Sequence, residues 1–246
     1  MNIIIVNDDG WESKGSSYLI QKLREKNKIY AYFPYSNSSG YSNKISLNCN
    51  IDVNQVKDNY FIVKGSPVDC ILVAIQDLKI KGIEIDLVIS GINDGLNYGA
   101  PIIYSGTVAA ALEASNYGIP SIAISFEGSL MSSRVLDDIA DWLIKLPFDR
   151  IKDNSVINMN ILERKDTGVF PNLIYIENEV IDYSFKLPKV TKEKMGYRIA
   201  INNSMKQNNH SDFCMIGIYN RFSGFVLDKQ DKELLNELKI TFEKLG

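Results

Sequence analysis

Residues Ile3-Ile4-Ile5-Val6-Asn7-Asp8-Asp9-Gly10 constrain the fold of this chain more than any other stretch. Four apolar, mostly β-branched residues read as a buried strand. The strand ends in two adjacent carboxylates and a glycine. In an open α/β sheet, ligands bind beyond the carboxyl ends of the strands. Two neighbouring carboxylates repel each other, and a divalent cation relieves that repulsion. The octet therefore reads as a hard-metal site at the mouth of the first strand. It reads equally well as a polar strand-to-helix turn, because Asn-Asp and Asp-Gly are ordinary turn residues.

The pattern that follows is that of an α/β protein. Residues 15–26 carry Tyr18, Leu19, Ile20 and Leu23 at helical spacing, with Ser13 or Ser16 as a cap. Residues 29–33 form a second strand, stopped by Pro34, which makes a parallel strand-helix-strand unit. A polar loop, 35–43, follows on the sheet edge that also carries Asp8 and Asp9. Residues 51–53 and 60–63 read as short strands. Gly65-Ser66-Pro67-Val68-Asp69-Cys70 is a helix start, with Ser66 as N-cap, Pro67 in the first turn and Asp69 at the positive end of the dipole. Its apolar stripe runs to about Lys79, and Cys70 reads as core.

Residues 86–90 are the next strand. It leads into a Gly/Asn loop, Ser90-Gly91-Ile92-Asn93-Asp94-Gly95-Leu96-Asn97-Tyr98-Gly99, and then a Ser105-Gly106-Thr107 turn opening an alanine-rich helix. The free amides and dipole at such a helix start favour an anion, although the tripeptide alone is most simply an N-cap. Strands at 122–125 and 156–161 and a helix at about 132–146 follow. From 163 to 201 the pattern weakens to hairpin-like runs such as 173–176, which suit an arm or an oligomer contact. A polar loop, 204–212, holds His210, and residues 229–245 form a charged amphipathic helix.

Composition narrows the function. The chain has 246 residues, net charge −3 and no clustering of basic residues, so a nucleic-acid duplex is not an expected partner. Its three cysteines, Cys49, Cys70 and Cys214, lack the spacing of a zinc site or a disulfide framework. His210 is the sole histidine, and a lone loop histidine reads as solvent-facing rather than catalytic. The first strand begins almost at once with no basic leader, and no apolar run approaches membrane-spanning length, so the expected location is the cytoplasm.

Three loops thus converge on one sheet edge with oxygen donors: the Asp8 and Asp9 carboxylates, the Ser39 hydroxyl and the Asn93 amide carbonyl. An all-oxygen set selects Mg²⁺, Mn²⁺ or Ca²⁺ over zinc or copper. Together with a helix start for phosphate, it suits phosphate-ester hydrolysis. Asp8 or Asp9 could serve as base toward water or as nucleophile.

These residues also resemble a family. Asn7-Asp8-Asp9-Gly10, Asn37-Ser38-Ser39-Gly40-Tyr41-Ser42, Gly65-Ser66-Pro67-Val68-Asp69-Cys70, Ser90-Gly91-Ile92-Asn93 with Gly95 and Asn97, and Tyr104-Ser105-Gly106-Thr107-Val108-Ala109-Ala110 are similar, in order, to the motifs of the SurE family of metal-dependent 5′/3′-nucleotidases. The resemblance implies one Rossmann-like, three-layer α/β domain with a mostly parallel sheet. Its core would span about 1–160, with a C-terminal hairpin and helix at about 161–246 for dimer or tetramer assembly. It implies one divalent ion, Mg²⁺ or Mn²⁺ with Ca²⁺ as an alternative occupant, held by Asp8, Asp9, Ser39 and Asn93. It places a phosphate seat at Ser105, Gly106 and Thr107, with Gly40 and Asn97 nearby. The implied reaction turns a nucleoside monophosphate and water into nucleoside and phosphate. Other small phosphoesters, short polyphosphate, or nucleotide binding without turnover are the alternatives. Departures from the family pattern are Ser38 in place of a basic residue, Ser13-Lys14 in place of Ala-Pro, and Tyr175-Ile176-Glu177 in place of a Thr-Arg strand.

Overall fold

The structure, a computed structural model, describes residues 1–128, 140, 143, 151, 155–162, 172–175, 189–193, 196–200, 213–220 and 232–238. The first strand, β1 (Asn2–Val6), is central to it. Ile3, Ile4, Ile5 and Val6 are fully buried. Strands enclosed on both faces need such unbroken apolar runs, and each buried aliphatic side chain contributes about 1.5–3 kcal/mol over an exposed one.

The remaining elements follow in chain order: α1 (Lys14–Leu23), β2 (Lys28–Pro34), β3 (Val53–Lys57), β4 (Tyr60–Val63), α2 (Pro67–Ile80), β5 (Leu87–Asp94), a 3-10 turn at Ala100–Tyr104, α3 (Gly106–Ser115), β6 (Ser121–Glu127) and β7 (Ser155–Leu162). After them come β8 (Asn172–Tyr175), β9 (Lys189–Glu193), β10 (Gly196–Ala200) and β11 (Phe213–Asn220). Among the described residues, nine strands form one sheet in the order β3-β4-β2-β1-β5-β6-β7-β11-β8. The run from β4 to β7 is parallel throughout.

The chain winds outward from β1 through β2 to β4, then returns to lay β5 on the other side of β1. The strand order reverses between β1 and β5, and such a switch point leaves a crevice beyond the strand ends. Helix α1 lies on one face with Ile3, Ile5 and Ile89, while α2 and α3 cover Ile4, Val6 and Val88 on the other. The three-layer architecture is thus as expected.

Several boundaries differ from the sequence reading. The strand expected at 51–53 begins at Val53 and runs to Lys57, where all five residues are exposed at the sheet edge. Burial periodicity carries no signal in such a strand. The run at 173–176 is not one arm of a local hairpin: β8 lies parallel to β11 in the main sheet. Strand β11 had no counterpart in the sequence reading, although Phe213-Cys214-Met215-Ile216-Gly217-Ile218-Tyr219 is a continuous apolar run; it pairs antiparallel with β7. Of the helix expected at 132–146, Ala140 and Leu143 are described, helical and buried. Residues 232–238 are helical, and Leu234, Leu235 and Leu238 pack into the α1-side core of their own chain. His210, with its loop, lies outside the described residues. Among the described residues, no helix is long and apolar enough to cross a membrane.

Candidate active site

Asn7 builds the turn that carries the carboxylates. Its side-chain amide donates to the Gly10 carbonyl at 2.8 Å and to Ser16 Oγ at 2.7 Å, and its Oδ1 accepts from the Gly10 N–H at 3.0 Å. Ser16 Oγ in turn donates to the Gly91 carbonyl at 2.9 Å. One buried asparagine thereby ties the end of β1, the start of α1 and the end of β5 together. Ser13, not Ser16, caps α1, accepting from the Ser16 N–H.

Two further elements meet this turn. The Ser38 N–H donates to the Asp8 carbonyl at 2.6 Å, which draws the loop after β2, with Ser39 and Gly40, against β1. The Asp94 N–H donates to the Asp9 carboxylate, which places the end of β5, with Asn93, beside it. Asp8, Asp9, Ser39 and Asn93 therefore lie on one sheet edge around the switch point. Ser39 is exposed, and its N–H is fixed by Asn37 Oδ1 at 2.9 Å. The Asn93 side-chain amide donates to the Gly95 carbonyl at 2.7 Å, which leaves its Oδ1 as an acceptor.

The first turn of α3 is built around Asp8. Thr107 Oγ1 donates to Asp8 Oδ1 at 2.6 Å, and the Thr107 N–H also donates to this carboxylate. Ser105 Oγ accepts from the Val108 N–H at 3.1 Å as the helix N-cap. A Cβ on Gly106 would stand 2.9 Å from Asp8 Cβ and 3.1 Å from its Oδ2, so this position admits no side chain while Asp8 stays where it is. The helix start expected to seat phosphate thus spends Thr107 on Asp8. The Ser105 hydroxyl proton and the Gly106 N–H remain as donors not engaged in any described hydrogen bond.

Burial governs the electrostatics. It pushes the Asp8 carboxyl up, against the hydrogen bonds from Thr107 that pull it down. Asp9 is pushed up to about 6, first by burial and then by the charge of Asp8, with Asp94 adding to the repulsion. The charges Asp9 feels most are negative, which is the environment that a divalent cation neutralises. Among the described residues, no three His, Cys, Asp or Glu side chains cluster as a metal-ligand group. The donors that Asp8, Asp9, Ser39 and Asn93 offer at this edge are all oxygens. Two carboxylates, a hydroxyl and an amide oxygen fit a hard ion such as Mg²⁺ or Mn²⁺.

Asn97 is held from the far side of the sheet edge. Its N–H donates to Asn160 Oδ1 at 2.5 Å and its side-chain amide to Ser125 Oγ at 2.9 Å. Its carbonyl accepts from the side chains of Asn158 at 2.9 Å and Asn160 at 3.2 Å. The sequence reading singled out none of Ser125, Asn158 and Asn160. The one signal for them was polar residues inside otherwise apolar strands.

The family model described as Survival protein SurE matches residues 3–174. The chain belongs to the SurE family. A SurE relative named 5′-nucleotidase SurE, from Mannheimia succiniciproducens, is 36% identical over 161 residues. That alignment covers 65% of this chain and 65% of the relative, so the match spans just under two thirds of its length. A second protein of that name, from Clostridium botulinum (strain Eklund 17B / Type B), is 31% identical over 255 residues, covering 99% of this chain and 100% of the relative. The crystal structure of the SurE protein from Aquifex aeolicus shares the fold, with a TM-score of 0.70 at 23% identity over 98% of this chain and 99% of that one. The SurE match takes in every residue that builds the site described above.

Proposed function

We propose that this SurE-family chain is a divalent-metal-dependent nucleotidase that hydrolyses nucleoside 5′-monophosphates, and 3′-monophosphates as a second class, to nucleoside and phosphate. The observation that carries this reading is the Asp8–Asp9 pair at the switch point, with Asp8 held by Thr107 and Asp9 beside the charges of Asp8 and Asp94. The name 5′-nucleotidase SurE on its relatives supports the substrate class.

In this reading Asp8, Asp9, Ser39 Oγ and Asn93 Oδ1 hold the ion. When bound, a divalent ion neutralises phosphate charge and lowers the pKa of a coordinated water. The chain's own residues do the rest. Thr107 keeps Asp8 in one rotamer, which makes Asp8 a fixed ligand and a poor base. Asp9 is less buried than Asp8 and no described side chain donates to it, so it is the carboxylate open to the proton of the attacking water. The Ser105 hydroxyl, the Gly106 and Gly40 amides and the Asn97 side chain hold phosphate oxygens near the in-line geometry.

We assign the assembly, a homodimer or homotetramer, to the C-terminal region. The β9–β10 ribbon supports this, because among the described residues it pairs with no strand of the main sheet. Free thiols at Cys49 and Cys70 suit the reducing cytoplasm.

Phosphate release from AMP, with Mg²⁺ or Mn²⁺ and with chelator, tests the function. We expect metal-dependent release that Asp8→Asn abolishes. Full activity in Asp8→Asn, or none in the metal-loaded native chain, would overturn the reading.

A further inference from the structure

A groove of about 310 Å³ opens beside the site, between the loop after β2 and the start of α2. Tyr35, Ser38, Tyr41, Lys44, Lys64 and Ser66 form most of its lining. The two are neighbours through Ser38, which lines the groove and whose N–H bonds to the Asp8 carbonyl at 2.6 Å.

The groove is cationic in an acidic chain. Its lining holds two lysines and no carboxylate, whereas the whole chain carries 30 acidic against 27 basic residues. Asp69 borders it but is buried and spent: its carboxylate accepts from the Ser46 N–H, the Ser46 hydroxyl and the Ser66 N–H at 2.8–2.9 Å. Lys64 Nζ is 3.0 Å from Asp52 Oδ2, so its charge is partly answered. Lys44 has its ammonium 4.4 Å from the centroid of the Tyr41 ring, a contact that leaves the full positive charge in place.

The backbone under Lys44 is fixed. Its N–H donates to the Tyr41 carbonyl at 3.1 Å, and its own carbonyl accepts from Ser66 Oγ at 2.5 Å. Ser66 is in turn locked by the capping box with Asp69. The exposed Lys44 side chain therefore leaves from a fixed backbone.

We propose that this groove is a second anion subsite, which takes a second phosphate on the leaving-group half of the substrate. The proposal rests on the nucleotidase reading and names its substrate class as nucleoside bisphosphates, with one phosphate at Asp8 and Asp9 and the other at Lys44. The volume sets the limit, because small-molecule clefts start near about 300 Å³. A groove at this lower end has room for a sugar phosphate. A lysine ammonium binds phosphate as a point charge and needs no bidentate geometry.

Calorimetric titration of the full chain with Mg²⁺ tests this subsite, using inorganic phosphate and the non-hydrolysable phosphonate analogues of adenosine 3′,5′-bisphosphate and AMP in place of the nucleotides themselves. The bisphosphate analogue is expected to bind about three- to fivefold more tightly than the AMP analogue, the scale of one partly exposed ion pair, and the advantage shrinks as salt rises. Lys44→Gln removes the advantage and leaves the affinity for the AMP analogue unchanged. Asp52→Asn frees Lys64 and widens the advantage, a gain that no misfolded variant would mimic. Inorganic phosphate tests free phosphate as the occupant: a second phosphate bound per chain, lost in Lys44→Gln and with no bisphosphate advantage, would overturn the proposal. Equal affinity of the native chain for both analogues, or equal weakening of both by Lys44→Gln, would overturn it as well. Phosphate release is assayed in parallel. No release from either nucleotide counts against the nucleotidase reading, while the affinity comparison still decides on the groove.

Discussion

Thr107 Oγ1 donates to Asp8 Oδ1 at 2.6 Å, which joins the first turn of α3 to the end of β1 across 99 positions of sequence. The Thr107 N–H reaches the same carboxylate. A buried carboxylate with two donors has one orientation. That is what a ligand needs if the ion is to find its shell already formed.

Thr107→Val keeps the shape and removes the hydroxyl donor. Loss of such an outer partner costs about 10–100-fold in metal affinity or activity. We expect kcat/KM for AMP to fall by that order and the rise in Tm on adding Mn²⁺ to shrink. Thr107→Ser restores most of both. Unchanged metal affinity in Thr107→Val would show that the bond is only structural.

Gly106→Ala tests the same contact from the other side. Alanine is favoured over glycine by about 1 kcal/mol in a helix interior, so propensity gives no reason for the helix start to weaken. The new Cβ, however, lies 2.9 Å from Asp8 Cβ and 3.1 Å from Pro67 Cγ. Asp8 must give way. We expect at least a tenfold loss of activity with a Tm change smaller than that of an ordinary core overpacking of about 1–3 kcal/mol. Steady-state kinetics beside a thermal melt checks the split. Gly15→Ala provides the contrast: its Cβ would meet the Ile92 carbonyl oxygen at 2.2 Å, and stability falls with activity.

The parts of the fold that were legible in the sequence are those with local causes. Ile3 to Val6 had to be a buried strand, and Ser66, Pro67 and Asp69 announced α2 as N-cap, first-turn proline and acid at the positive end of the dipole; the structure closes them into a capping box. The placement of Asp8, Asp9, Ser39 and Asn93 on one edge followed from strand order alone. What was not legible depends on distant pairs. Nothing near Thr107 says that it serves Asp8, and nothing near Asn160 says that it bonds to Asn97. Strand β3 is exposed along its whole length, so burial left no trace in its pattern. Asp94 was read as loop, and beside its repelling charge it gives Asp9 a backbone N–H, which side-chain identity does not report.

Asn160→Ala releases the loop 95–99. The Asn97 N–H would then be buried without its acceptor, at a cost of about 1–3 kcal/mol. One of two donors to the Asn97 carbonyl is lost as well, although Asn158 still holds it at 2.9 Å. If Asn97 serves phosphate, KM for AMP rises several-fold more than kcat falls. A lower Tm with unaltered KM would place Asn97 outside the substrate site.

The acidic pair also sets a pH dependence with a definite sign. The folded chain holds the Asp9 proton more tightly than the unfolded chain does, because burial and the Asp8 charge raise its carboxyl to about 6 from 3.8. Below 3.8 both states are protonated and Asp9 contributes no penalty. As pH rises from there to about 6, the unfolded chain ionises first and is favoured, so metal-free stability falls across this window and levels off above it. For a partly exposed carboxylate the fall is about 1–2 kcal/mol after solvent screening. A divalent ion binds the ionised pair and removes the penalty, so the Tm increment from Mg²⁺ grows through the same window. The measurement is a set of melts against pH, in chelator and in Mg²⁺, for the native chain and Asp9→Asn. Other carboxylates titrate in this range, so the difference between the two proteins isolates Asp9. Parallel profiles for the native chain and Asp9→Asn in chelator would show that the pair is not strained, and would remove the electrostatic argument for a cation between the ends of β1 and β5.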